Sequence, residues 1–248
     1  MAGKISPMME HYLKTKKEYP DCIVFYRLGD FYEMFFDDAI LVSRELELTL
    51  TGRDCGMEKR APMCGVPFHS AEVYISRLIA NGHKVAICEQ VEDPKKAKGM
   101  VDREVIRVIT PGTAVDEAIL DEGVSSYLVV LYSSGGTTGL AASDVSTGEM
   151  YAAELTEDKQ IIDELASYGP KEILINDEFS RPLAKQLEES FGVSCERRNE
   201  LFEDGIDELV SAQFGKSIAE LGLSGKREVT AAVGGAVRYI RYAQKANV

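Results

Sequence analysis

Five consecutive apolar residues, Cys22, Ile23, Val24, Phe25 and Tyr26, lead through Arg27 and Leu28 into the turn pair Gly29 and Asp30. An apolar run of that length, closed by a turn, reads as a buried strand, so the chain has to build a covered sheet around it. Beyond the turn stand Phe31 and Glu33, which extended backbone places on one face. The turn is expected to lift them out of the sheet and leave Phe31 protruding. A protruding aromatic plate can replace the base stacking that it interrupts, which is how proteins wedge between base steps from the minor groove. Glu33 sharpens this reading, because phosphates repel a carboxylate except where it bonds a base edge. Ionised, it accepts from a base N–H; protonated, it donates to a purine nitrogen, and the phosphate field favours that second form. On the tripeptide alone, Phe31 and Phe35 also fit as core residues flanking a solvated Glu33. Tyr32 should face inward.

Strand and helix patterns alternate around this turn. Met9, Tyr12, Leu13 and Lys16 give helical spacing over Met8 to Tyr19, Cys22 to Leu28 is the strand, and a helix is expected near Asp37 to Glu47. Leu48 to Thr51 reads as a strand and Gly52 to Gly65 as an irregular loop. Ser70 can cap a helix to Asn81 that Gly82 ends, and Val85 to Glu89 and Val101 to Thr110 read as strands. The pattern predicts a small mixed α/β domain over residues 1–113 with polar loops around the Phe31 turn. Pro111, Gly112, Asp116, Glu117, Asp121 and Glu122 give Thr110 to Gly123 the composition of a linker, which is expected over residues 114–126. Ser126 to Tyr132, Thr138 to Val145 and Glu149 to Leu155 then read as an antiparallel meander, followed by a helix, the strand Ile173 to Ile175 and further helices. That order is the one of a ribonuclease H-like fold, expected over residues 127–248. The last helix, from about Val229 to Ala246, runs to the end without a capping Gly, the pattern expected of a piece cut from a longer protein.

Charge separates the two halves. Residues 1–115 hold 16 Lys and Arg against 17 Asp and Glu, a balance of −1, whereas residues 116–248 hold 12 against 24, a balance of −12. Only the first half is electrostatically tolerable beside DNA, and its affinity has to come from local basic residues such as Lys95, Lys96, Lys98, Arg103 and Arg107. Five cysteines without CxxC spacing read as reduced thiols of a cytoplasmic protein. No leader peptide or membrane span is legible.

Three blocks carry a resemblance. The first runs from Pro7, Met8 and Met9 through Tyr19, Pro20 and Asp21 to Phe31, Tyr32, Glu33, Met34, Phe35, Phe36, Asp37, Asp38 and Ala39. The second is Pro62 to His69, and the third runs from Val85 to Gln90, through Lys98 and Gly99, to Arg103 to Thr113. Together they closely resemble the amino-terminal region of the MutS family of DNA mismatch-recognition proteins, densely over the first 113 residues and loosely beyond. The resemblance implies that Phe31 stacks on one base of a mispair and Glu33 hydrogen-bonds it. It implies further that Arg53 and Arg103 approach the DNA backbone and that Met63, Gly65 and Val66 belong to a minor-groove loop. The second domain then resembles the family's connector, which meets a MutL-type partner. ATP and Mg, and the dimer contacts, belong in that family to later domains. The expectation is therefore a cofactor-free, non-enzymatic, monomeric recognition piece for mismatched double-stranded DNA, from a protein homodimeric at full length. The alternative is a protein-interaction module of a MutS-like paralogue without mismatch sensing.

Catalytic motifs find little support. Ribonuclease H-like nucleases seed a metal-binding carboxylate cluster with an Asp in the first strand, and Ser126 to Tyr132 has none; Asp144 and Glu149 read as solvated turn charges. Phe214, Gly215, Lys216 and Ser217 mimic the end of a phosphate-binding loop, but Val210 stands where the pattern needs Gly, so a helix-end turn is expected. Cys55, Cys64 and His69 lack paired metal-ligand spacing, and His11 and His83 are isolated.

Overall fold

In the computed structural model, which describes residues 5–92, 101–115 and 126–245, the chain opens with helix α1 (Pro7–Glu18). Its start is encoded locally: the Ser6 hydroxyl accepts from the Met9 N–H, and Pro7 sits in the first turn, where no N–H is needed. Lys16 and Lys17 occupy the last turn, at the negative end of the helix dipole. Then follow β1 (Cys22–Leu28), β2 (Phe31–Phe35), α2 (Phe36–Glu45), β3 (Thr51–Arg53), β4 (Ala61–Pro67), α3 (Ala71–Ala80), β5 (Lys84–Gln90) and β6 (Arg103–Ile109). They make one compact unit, Met1–Thr110, around a six-stranded sheet of order β3-β4-β2-β1-β5-β6.

The apolar run is buried on both faces, as a central strand requires: Cys22 to Tyr26 are each at most 4% exposed. β1 runs parallel to β5 and antiparallel to β2. Asp38 fastens the layers, its carboxylate accepting from Lys16 Nζ at 2.9 Å, the Val24 N–H at 3.0 Å and the Tyr12 hydroxyl at 3.3 Å. A buried carboxylate is tolerable only with such a set of donors.

Three expectations are corrected here. The Gly29–Asp30 turn does not lift the following residues out of the sheet. It reverses the chain into β2, with Leu28 opposite Phe31 across a two-residue hairpin, and Gly29 takes the left-handed φ of 59° that the reversal needs. Nor is Gly52 to Gly65 a loop throughout: Ala61–Pro67 is β4, paired with β2 from Phe31↔Pro67 to Phe35↔Met63. Of the strand expected over Leu48 to Thr51, only Thr51 lies in β3.

The second unit, Pro111–Val248, holds β7 (Tyr127–Ser134), β8 (Thr137–Asp144), β9 (Glu149–Leu155), α4 (Asp158–Tyr168), β10 (Glu172–Ile175), α5 (Arg181–Phe191), β11 (Cys195–Arg197), α6 (Ile206–Phe214) and α7 (Arg227–Gln244). Its sheet has the order β11-β10-β7-β8-β9; β7 to β9 form the antiparallel meander, and β10 joins parallel to β7. This is the ribonuclease H-like arrangement. β7 feeds two cores: Val129 and Leu131 pack with α4 and α5, Leu128 and Val130 with α6 and α7.

Candidate nucleic-acid interface

Alternation along β2 puts Phe31, Glu33 and Phe35 on one face and Tyr32 and Met34 on the other. Residues opposite one another across a ladder share a face, so Met63 and Gly65 of β4, and Arg53 of β3, lie on the Phe31 side. Along that face exposure rises toward the hairpin. Phe35 is buried against Tyr12 of α1, their rings edge to face at 4.9 Å, whereas Phe31, at the hairpin end, is 46% exposed. Of the two readings open for the tripeptide, Phe35 is a core residue and Phe31 is not.

Glu33 is not a free carboxylate. The guanidinium of Arg53, two strands away, donates to its Oε2. Opposite Glu33 the intervening strand carries Gly65, where a Cβ would stand 3.2 Å from the Tyr32 carbonyl and 3.5 Å from Glu33 Cγ. Glycine there keeps the surface beside the carboxylate low. Sequence reasoning named both Glu33 and Arg53 but not their pairing, since 20 residues of chain and a sheet register separate them.

Two of the expected site residues stand elsewhere. Val66 lies on the opposite face, fully buried, so its side chain presents nothing to the surface. Arg103 is 8% exposed and committed inward: Nε donates to the Arg27 carbonyl at 2.8 Å, Nη1 to the Val101 carbonyl at 2.6 Å, and the guanidinium lies 5.3 Å from the Tyr26 ring centroid. The Tyr26 hydroxyl meets His11 Nδ1 at 2.9 Å, and burial, with Arg103 and Lys14 adding their charge, pushes the His11 pKa down. Met63 is half-buried between Phe35 and Thr51. Tyr32 does face inward, 7% exposed. Lys95, Lys96 and Lys98 lie outside the described residues.

The competing chemistries can be placed as well. Asp144 is 2% exposed rather than solvated, and its Oδ1 accepts from the Ser146 N–H at 2.9 Å and the Ser146 hydroxyl at 2.6 Å, closing the β8–β9 turn. Gly215 caps α6 with φ 63°, so the Lys216–Ser217 pair sits in a helix-end turn. Cys64 is buried with Sγ 3.5 Å from the Ala39 carbonyl, and burial pushes its thiol up to about 11. Among the described residues no group of His, Cys, Asp and Glu is gathered to hold a metal ion, and no helix is long and apolar enough to cross a membrane.

Sheet order and burial thus define a mixed α/β protein whose first unit presents an aromatic beside a paired carboxylate and whose second unit is ribonuclease H-like. Family models described as MutS domain I and MutS domain II match residues 6–118 and 126–248. The DNA mismatch repair protein MutS of Ruminiclostridium cellulolyticum is 47% identical over 253 residues, covering 99% of this chain and 29% of the relative. That of Clostridium perfringens is 48% identical over 246 residues, covering 98% of this chain and 27% of its own length. The MutS of Clostridioides difficile is 59% identical over 175 residues, 71% of this chain and 18% of the relative. The chain belongs to the MutS family of DNA mismatch repair proteins, of which it carries domains I and II. It spans less than a third of the length of these relatives.

Proposed function

We propose that the first unit recognises mispaired or unpaired bases in double-stranded DNA by inserting Phe31 as a wedge, with Glu33 bonding the displaced base. The observation that carries this reading is the half-exposed Phe31 at the end of a two-residue hairpin, on the same face as Glu33 and bordered by Gly65. Selectivity then comes from DNA mechanics: a mispair weakens local stacking, so kinking and wedging cost less there than at a matched step. An aromatic plate is indifferent to base identity, and a carboxylate can accept or, once protonated, donate, so one site can take many mispairs.

The Arg53 pair adds a step to this mechanism. In the free protein Arg53 offsets the Glu33 charge; against a duplex its guanidinium can turn to a phosphate while Glu33 turns to the base. Arg103 supports the site from inside, through the Arg27 carbonyl. The second unit, with the acidic balance of its half of the chain, is a docking element toward a repair partner of the MutL type. The ATP and Mg chemistry of a whole MutS protein, and its dimer, belong in this reading to regions outside these two domains.

The test uses a chimera in which this chain replaces the matching segment of the Ruminiclostridium cellulolyticum relative. Phe31→Ala should abolish the preference for a duplex with one G·T mispair over its matched counterpart. An unchanged preference would reject the wedge and leave the docking module as the reading.

A further inference from the structure

The hairpin that carries Phe31 is fastened at both turn carbonyls. The Phe68 N–H donates to the Asp30 carbonyl at 3.0 Å, and Arg27 Nε donates to the Gly29 carbonyl at 2.5 Å. Arg27 holds three further groups. Its Nη1 lies 3.1 Å from Glu89 Oε1, its guanidinium carbon 3.6 Å from the centroid of the Phe68 ring, and its own carbonyl accepts from Arg103. Glu89 Oε1 also accepts from the Tyr32 hydroxyl, and Oε2 accepts from the Gln90 N–H at 3.1 Å. The residues before Phe31 and the residue after it are therefore tied to one cluster built on Arg27.

The cluster lies on the far side of the sheet from the wedge. Arg27 and Tyr32 are opposite one another in the β1–β2 ladder, and alternation places both on the face away from Phe31 and Glu33. The Arg27 side chain is only 16% exposed, with Nε turned to Gly29 and Nη1 to Glu89. An arginine so buried presents little to a phosphate. What it can do is fix the turn. A wedge already held in one orientation does not give up conformational freedom at the moment of insertion, a cost that would otherwise fall on the mismatch complex, where the wedge inserts, and not on matched duplex bound without insertion.

We infer that Arg27, seated between Glu89 and Phe68, is a positioning residue for mismatch recognition, which sets the orientation of Phe31 from the opposite face of the sheet without touching DNA. This rests on the wedge reading above. Lying over the Phe68 ring while bonding a carboxylate and a carbonyl takes a guanidinium with its several donors, so Lys cannot take the place.

The chimera carrying Arg27→Lys, Phe68→Leu or Phe31→Ala is titrated with G·T and matched duplexes over a salt series, beside a thermal unfolding curve for each variant. Arg27→Lys should cut the mismatch-over-match affinity ratio by about tenfold while the slope of log K against log salt stays as in the parent; loss of a phosphate contact would instead lower that slope by about one. Phe68→Leu keeps the apolar bulk, removes the ring face, and should shift the ratio the same way by a smaller factor. It carries the test should Arg27→Lys fail to fold. A lowered slope with the ratio kept would make Arg27 a phosphate contact and overturn the inference. So would an unchanged ratio and slope in both variants while Phe31→Ala loses its preference. If Phe31→Ala itself keeps the preference, the wedge reading falls and this inference falls with it.

Discussion

Glu33 is the residue whose charge sits least comfortably in a DNA interface, and Arg53 is what makes it tolerable. Replacing Glu33 by Gln removes the ion pair, frees a guanidinium and ends the repulsion of the carboxylate by phosphates. The amide also donates without needing a proton, so it bonds bases with less regard to their pairing state. In the chimera, Glu33→Gln should hold or raise affinity for matched duplex and reduce discrimination. Since Arg53 meets a phosphate in either complex, the slope of log K against log salt should stay as in the parent. Equilibrium titration at several salt concentrations reads all three; a uniform loss of binding to matched and mismatched duplexes would refute the exchange of partners proposed for Arg53.

The clearest packing constraint at the level of elements is the seat of α7 on β8. A Cβ added at Gly139 would lie 2.0 Å from the Glu228 carbonyl oxygen at the start of the helix. Alanine would favour the strand by roughly 0.5–1 kcal/mol, but pushing α7 off the sheet outweighs that. Gly139→Ala should therefore destabilise the second unit by about 3 kcal/mol, read as a lowered urea midpoint with the first unit's transition unmoved. Elements were legible in the sequence where one signal dominated. The apolar run of β1, the Ser6–Pro7 start of α1 and the meander turns all act within a few residues. β4 was not legible, because Pro62, Gly65 and Pro67 punctuate it as they would a loop. In the sheet Pro67 closes the β2 ladder, which runs from Met63 to Pro67, and Pro62 stands one residue outside it. The hairpin was half legible: Gly29 announces a reversal, but only pairing with β4 decides that the returning residues stay in the sheet. Val66 and Arg103 were named for the surface and are buried, since a family motif marks positions without saying which way a side chain points. The Arg27–Glu89 contact spans 62 residues and leaves no local periodicity to find.

For the molecule as a whole, the charge division sets what this chain can do by itself. Residues 1–115 are balanced at −1, and of their arginines Arg27, Arg53 and Arg103 hold protein partners, so this half offers a duplex no net positive charge. Residues 116–248, at −12, oppose the approach of any polyanion. A wedge also needs force against it: kinking a duplex costs a few kcal/mol, which has to be recovered through contacts along the bent DNA, and a near-neutral unit supplies few of them. The chain alone should therefore bind DNA weaker than micromolar at physiological salt, with a shallow salt dependence and little preference for a G·T mispair. In the chimera, reversing exposed acidic residues of the second unit such as Asp163, Glu188 and Glu208 should weaken capture of a MutL-type partner and leave mismatch affinity unchanged. Fluorescence anisotropy with matched and mismatched duplexes measures the first, and pull-down of the purified partner beside the same titration measures the second. Submicromolar, mismatch-selective binding by the chain alone, or reversals that cost DNA binding while partner capture survives, would show that recognition and docking are not divided between the two units.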